Sequence, residues 1–286
     1  MRYPFIKEHR SRWPVPLLCQ VLQVSRSGYY DFLAHQPSAR QQWRCEMKAQ
    51  VHSIFRANHG IYGSPRVYQQ LRLKGVRCNV KTVAKLMQQE ALAATHRRKF
   101  SVQTTDSQHG HPVARNLLEQ RFEAAGPNQV WTADITYIPT GEGWLYLAVE
   151  MDLYSRRIVG WSMAEHLKAE LPLAALAMAV GQRRPAPGLI HHSDRGVQYA
   201  CEAYQQRLLE IKARSSMSRR GNCYDNAVTE SFFGSLKQEL VHRRKFATRE
   251  QAKAAIFNYI EIFYNRNRTH STLGYVSPAV FEAMTN

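Results

Sequence analysis

The chain has 286 residues, 44% of them apolar, enough to bury a globular core in one large or a few smaller domains, and its formal charge of +17 calls for a polyanionic partner. No stretch reaches the roughly 18 apolar residues of a membrane span, and no signal-peptide apolar region follows Met1, so nucleic acid is a better partner than a membrane surface. Cys19, Cys45, Cys78, Cys201 and Cys223 are scattered, with no Cys-x-x-Cys or Cys/His ligand spacing, which excludes structural zinc and a disulfide scaffold and suits a reducing cytoplasm.

The charge is uneven. Residues 1–100 carry 18 Lys and Arg against 4 Asp and Glu, while the remainder carries 21 against 18, so the first third of the chain is the cation. Within it, Val15 to Leu22 and Gly28 to Leu33 read as short helices around the Val24 to Ser27 turn, stopped at Gln36-Pro37-Ser38. Trp43, Met47, Val51, Ile54 and Phe55 recur at helical spacing and predict a longer helix ending at Asn58-His59-Gly60. Ser64-Pro65 reads as an N-cap and first-turn proline, with Val67 and Leu71 facing inward and Gly75 closing the helix. A second helix starts near Asn79, with Val83, Leu86 and Met87 inward and Lys81, Thr82, Lys85 and Gln88 outward. This is the plan of a helix-turn-helix DNA reader, and Arg66, Lys81, Thr82 and Lys85 are its candidate DNA contacts. Arg97, Arg98 and Lys99 open a polar stretch running through His109 and His111, placed to touch phosphates or to lie solvated; the two histidines line this linker rather than bind metal.

From Asn128 the period changes from helix to strand. Val130 to Ile138, Trp144 to Met151 and Arg157 to Met163 predict an antiparallel meander. A helix over Ala169 to Arg183, a short strand over Gly188 to His192, a helix over Ala200 to Glu210, a strand over Ile211 to Ser215 and a helix carrying Glu230 follow. The order βββαβαβα is that of an RNase H-like fold, here an α/β core with a mixed five-stranded sheet and flanking helices, preceded by the all-α helix-turn-helix region. The expected divisions are 1–38, an N-terminal helical segment; 39–100, the helix-turn-helix region; 101–126, a linker; 127–245, the catalytic core; and 246–286, a C-terminal helical segment.

Three acids stand where chemistry could gather. Asp134 lies mid-strand among apolar neighbours, where a carboxylate without a cation is costly unless it faces solvent. Asp194 follows the fourth strand directly, at the strand end where ligand sites of α/β sheets gather, or else serves an Asp-Arg-Gly turn. Glu230 sits on a helix capped by Asp225 or Asn222, on one face with Asn226 and Lys237; alone it reads as a surface acid. Together the three are the pattern needed for phosphoryl transfer by two divalent ions, in which carboxylates converge from separate elements. Glu150, Asp152 and Asp225 compete as acids of the same region, Asp225 as a cap and the other two as supporting or exposed groups.

The segments Val130 to Ile138, His191 to Tyr199 and Arg219 to Glu230 resemble those of the IS-three family of bacterial insertion-sequence transposases, whose catalytic core is similar to retroviral integrases. Between Asp194 and Glu230 lie 35 residues, as in the DD(35)E pattern of that family, and Lys237 falls at its usual basic position. Tyr264 to Pro278 resembles the family ending, and Tyr62-Gly63-Ser64-Pro65-Arg66 the opening of its helix-turn-helix region. The resemblance implies a DDE strand transferase in which Asp134, Asp194 and Glu230 hold two Mg²⁺ or Mn²⁺ ions and Lys237, Asn226, Arg219 and Arg220 touch DNA. Water frees a 3′-OH at an element end, and that hydroxyl attacks a second phosphodiester. The implied partners are the element's terminal repeats and target DNA, further copies of the chain on DNA, and the upstream-frame product of the same element. The implied location is the bacterial cytoplasm, at the nucleoid when bound. Two readings compete: a nuclease of the same fold that cuts without joining, and a regulator that occupies element ends without cutting. The basic front and the Tyr264 to Pro278 segment argue against the first, the three acids against the second.

Overall fold

A computed structural model describes residues 2–34, 36–94, 110–120, 122–219 and 223–285. Three short helices, α1 (Arg2–His9), α2 (Val15–Val21) and α3 (Arg26–Ala34), close on a small core of Ile6, Leu18, Cys19 and Tyr29. The next helix, α4 (Ala39–Ala57), starts at a capping box: the Gln41 amide donates to Ser38 Oγ, and the Ser38 amide donates to the Gln41 side chain at 2.8 Å. The helical hairpin α5 (Ser64–Leu73) and α6 (Val80–Gln89) packs on it through Val67, Leu71, Val83, Leu86 and Met87. Gly63, not Ser64, occupies the cap of α5, whereas Asn79 caps α6 by accepting from the Thr82 amide at 2.8 Å.

The sheet comprises β1 (Val130–Thr140), β2 (Gly143–Asp152), β3 (Ile158–Ala164), β4 (Ile190–Ser193) and β5 (Arg214–Met217), in spatial order β3-β2-β1-β4-β5. The first three strands are antiparallel, and β4 and β5 join parallel to β1 through crossovers. This is the RNase H-like topology expected from the element order. α7 (Glu170–Arg183) covers one face, close to β3 because Gly160 has no side chain: a Cβ there would strike the Ala175 carbonyl and lie 2.7 Å from Ala179 Cβ. The helix expected over 200–210 is broken at Cys201 into α8 (Val197–Ala200) and α9 (Glu202–Glu210), which share that face with α7 around Trp131, Ala133, Tyr204 and Leu208.

The opposite face is covered by α10 (Ala227–Glu239), whose Phe232, Phe233 and Leu236 pack against Ile138, Leu145 and Leu147. The same cluster takes in the helical hairpin and the C-terminal segment, made of α11 (Arg249–Phe257), a π-helical stretch over Asn258–Tyr264 and α12 (Pro278–Thr285). Asn265 bonds the edge of β3 as a strand would, accepting from Ile158 N at 3.0 Å and donating to Ile158 O at 2.9 Å. The helical front docks on that segment and on the chain just before it: the Tyr62 hydroxyl accepts from the Thr269 amide at 2.8 Å, and Arg243 donates to the His59 carbonyl at 2.7 Å. The C-terminal segment as far as Tyr264, set apart in sequence, thus shares one core with both halves. Among the described residues no helix is long and apolar enough to cross a membrane.

Candidate active site

The site follows from unequal strand lengths. β4 pairs with β1 only along Val130, Trp131 and Thr132, so β1 outruns it and Asp134 sits just past the last shared rung. Asp194 is the residue after β4, so both acids come to the same notch at the C-terminal end of the parallel pair. α10 lies across β1 and is pinned beside the notch at two points: Thr229 Oγ1 donates to Thr132 Oγ1 at 2.7 Å, and Asn226 Nδ2 donates to the Ala133 carbonyl at 3.3 Å. These bonds set the register of Glu230 against Asp134. Thr132 and Thr229 carried no signal in the sequence, because the contact joins segments 97 residues apart.

Electrostatics tie the three acids together. Burial, followed by the Asp194 charge, raises the Asp134 carboxyl well above the ordinary carboxylate range; Glu230 adds to the rise, while the Ile135 amide, donating at 2.8 Å, and Lys237 oppose it. Asp194 is held by the Gly196 amide at 2.9 Å, and Glu230 is exposed on the first turn of α10. Beside them the Tyr199 hydroxyl and Asn226 Oδ1 are buried with no hydrogen-bond partner among the described residues. Charge of one sign concentrated around a buried carboxyl, with polar atoms left over, fits a divalent cation. Among the described residues no three His, Cys, Asp or Glu side chains are grouped as a metal-binding set. Lys237, lowered by burial and partly restored by Asp134, lies 4.7 Å over the Tyr137 ring at the rim of the notch.

Other residues expected to face DNA are placed differently. Asn226 is buried and spends its amide on β1. Arg219 is paired with Asp225, donating from Nε at 3.1 Å and Nη2 at 3.0 Å. Asp225 is no helix cap but a buried acceptor within this pair. Arg66 is half-buried over the Tyr62 ring at the seam with the C-terminal segment, near Glu239 and Arg268. Lys81 and Lys85 are exposed and Thr82 is half-exposed along α6, as a reading face requires. Arg97, Arg98, Lys99 and Arg220, together with Asn222, lie outside the described residues. The two remaining acids are structural: Glu150 bonds His191 at 2.9 Å and Tyr204 at 2.9 Å in a buried triad under β1, and Asp152 accepts from the amides of Asn128, Tyr154 and Ser155.

Residues 124–223 match a family model described as an integrase core domain, residues 230–285 a second one of the same description, and residues 42–100 an HTH-like domain. The chain is 46% identical over 284 residues to the transposase InsF for insertion sequence IS3A of Escherichia coli (strain K12), covering 99% of this chain and 98% of that protein. The chain belongs to the IS3 family of insertion-sequence transposases. A Shigella sonnei protein of insertion element IS600, described as an uncharacterized 31 kDa protein, is 46% identical over 266 residues, covering 92% of the transposase and 97% of that protein. Among solved structures, the simian T-cell lymphotropic virus intasome in complex with a PP2A regulatory subunit aligns over 81% of the transposase and 74% of its own chain, at 14% identity and a TM-score of 0.47. The HTLV-2 integrase catalytic core domain in complex with magnesium covers 51% of the transposase and 92% of its own chain, at 16% identity and a TM-score of 0.40. As a transposase with an integrase catalytic core, the protein is an enzyme of the polynucleotidyl transferase type that acts in DNA transposition.

Proposed function

We propose that this transposase cuts DNA at the ends of its element and joins the freed 3′-OH to a second phosphodiester, with Asp134, Asp194 and Glu230 as the catalytic carboxylates. The observation that carries the reading is geometric: β4 ends at Ser193, so Asp194 comes beside Asp134 just past the last shared rung of β1 and β4, and α10 with Glu230 is pinned alongside by the Thr229–Thr132 and Asn226–Ala133 bonds. Burial first, then the Asp194 and Glu230 charges, raise the Asp134 carboxyl. The same acids would hold two Mg²⁺ or Mn²⁺ ions, which when bound supply activation of the attacking oxygen and charge stabilisation at the scissile phosphate.

The residues of the chain divide the remaining work. Asp134 is fixed by the rigid strand and by the Ile135 amide, and Asp194 by the Gly196 amide, so two of the acids arrive pre-oriented. Glu230 enters from α10, whose bonds to Thr132 and Ala133 set its register against Asp134. Lys237 offers a positive charge to the phosphate backbone from the same helix, its ammonium held toward the notch by the Tyr137 face. The exposed Lys81 and Lys85 and the half-exposed Thr82 turn α6 toward the terminal repeats, Lys85 as a phosphate contact; Arg66 contributes through its packing on Tyr62, and the exposed Arg219 touches DNA while paired with Asp225. Both ends of an element must be brought together for joining, which calls for further copies of the chain on DNA and for the upstream-frame product as a partner.

Glu230→Gln tests the assignment. The variant should bind end DNA with affinity within about twofold of wild type while losing cleavage by at least about 10³-fold, because only the charge that completes the site is removed. Loss of binding in parallel with cleavage would make Glu230 a structural residue and reject its assignment.

A further inference from the structure

The entry to α10 holds a buried carboxylate, Asp225, with donors from three other residues. Asp225 is 1% exposed and accepts from the Arg219 amide at 2.8 Å and from both Arg219 guanidinium contacts, which bracket the loop between β5 and α10. Its other partners come from far away in sequence: Asn116 Nδ2 at 3.0 Å and Gln120 Nε2 at 3.3 Å. A third stitch holds the same incoming segment, because the Leu117 amide donates to Ser216 Oγ on β5 at 2.9 Å. Ser216 in turn bonds His192, next but one before Asp194, at 2.8 Å. The Asn116 side chain also accepts from the Leu118 and Glu119 amides, which fixes the turn that presents Asn116 and Gln120.

Resting on the assignment of Glu230 above, we propose that Asp225 is a positioning residue for Glu230 and that residues 116–120, arriving from the DNA-reading half, are a required part of that device. Asp225 lies five residues before Glu230, at the entry to α10, and fully buried charges of this kind are strongly disfavoured without their donors. The Arg219 pair alone ties the end of β5 only to the entry of α10. The Asn116 and Gln120 donors anchor Asp225 to the rest of the core, in a fixed place relative to β5 and the Asp194 end of β4. The segment therefore acts on Glu230 through Asp225, and the chain connecting the two halves of the molecule finishes the catalytic site on its way past.

The test is the double variant Asn116→Ala with Gln120→Ala in the full chain, with Glu230→Gln as the reference. In metal-free protein, amide hydrogen exchange over residues 223–231 should rise by about tenfold while exchange in β1 and β2 stays unchanged. On labelled end DNA the variant should bind as wild type does, but cleavage should fall by about 10–100-fold and half-maximal cleavage should need correspondingly more Mg²⁺, the range typical of residues that orient metal ligands. Asn116→Asp in the presence of Gln120, which keeps an acceptor for the turn but faces Asp225 with a like charge, should impair cleavage at least as much. Unchanged exchange over 223–231 would overturn the proposal. Faster exchange throughout the sheet, with loss of DNA binding, would overturn it too, by making the segment part of the general core. If wild type fails to cleave in Mg²⁺, the strand-transfer assignment fails, while the exchange measurement still decides whether the segment holds the start of α10.

Discussion

Arg268→Met should be among the most destabilising single substitutions in this transposase. Arg268 and Glu239 form an ion pair whose side chains are 7% and 6% exposed, with Arg268 Nε at 2.9 Å and Nη2 at 2.7 Å from the carboxylate oxygens. Arg268 Nη2 also donates to Ser235 Oγ at 3.1 Å, so the guanidinium ties the C-terminal segment to the last turn of α10. Removing one partner of such a buried pair strands the other charge and costs about 3–5 kcal/mol. That is a large share of the ~5–15 kcal/mol by which a folded domain exceeds its unfolded chain. In Arg268→Met, Glu239 keeps the Tyr259 hydroxyl at 2.7 Å, a donor that also suits a neutral amide. Adding Glu239→Gln removes the stranded charge and should recover about 2 kcal/mol or more, giving a strongly non-additive cycle. Urea unfolding of the wild type, both single variants and the double variant measures each corner. A loss below about 1 kcal/mol for Arg268→Met, or a double variant no more stable than Arg268→Met alone, would refute the reasoning.

Stability should also fall on mild acidification. His192, bonded to Ser216 and Ser218, is lowered from 6.5 to about 4 by burial, and His270 is lowered to about 3 by burial and by Arg268, Arg66 and Arg156. Both folded values lie below the unfolded one, so from about pH 6.5 down to 4 the unfolded chain takes up protons that the fold refuses, and stability declines as pH falls through that window. Melting temperatures from pH 7.5 to 4.5 check this, and His270→Gln should flatten part of the slope; an unchanged slope would show that His270 is not buried neutral. On the DNA side, Lys85→Ala should weaken end binding about equally for specific and non-specific sequences and reduce the slope of log K against log salt by about one, read by binding titrations at several salt concentrations. A slope identical to wild type would remove Lys85 from the DNA surface.

What the sequence made legible is whatever repeats locally. The strand over Val130 to Ile138 and the position of Asp194 just after a short apolar strand are properties of a few adjacent residues, and the sheet order follows from them by the ordinary rules of strand connection. α1 escaped notice because Ile6 is its one buried residue, too little to make a periodic face. Charged and polar side chains were harder to read, since a sequence does not say whether a cation meets a phosphate or a distant carboxylate. Arg219 and Asp225 are six residues apart, yet the donors that complete their cluster come from Asn116 and Gln120, and Asn226 meets the Ala133 carbonyl across 93 residues. Arg66 likewise meets Tyr62 on its own helix entry, but its burial is supplied by the C-terminal segment near Arg268. The acids of the site were found because their role demanded three of them at separate element ends. The threonine pair that registers α10 on β1 had no comparable demand attached to it.

Whether the β1 notch joins DNA as well as cutting it is decided on labelled DNA bearing the element's own ends. Wild type and Asp134→Asn are compared in Mg²⁺, with the upstream-frame product supplied, and products are resolved for nicks and for branched, joined strands. The account predicts that wild type nicks the end and then yields the joined product, and that Asp134→Asn binds the same DNA and yields neither. Nicking without any joined product, or joining that persists in Asp134→Asn, would contradict it.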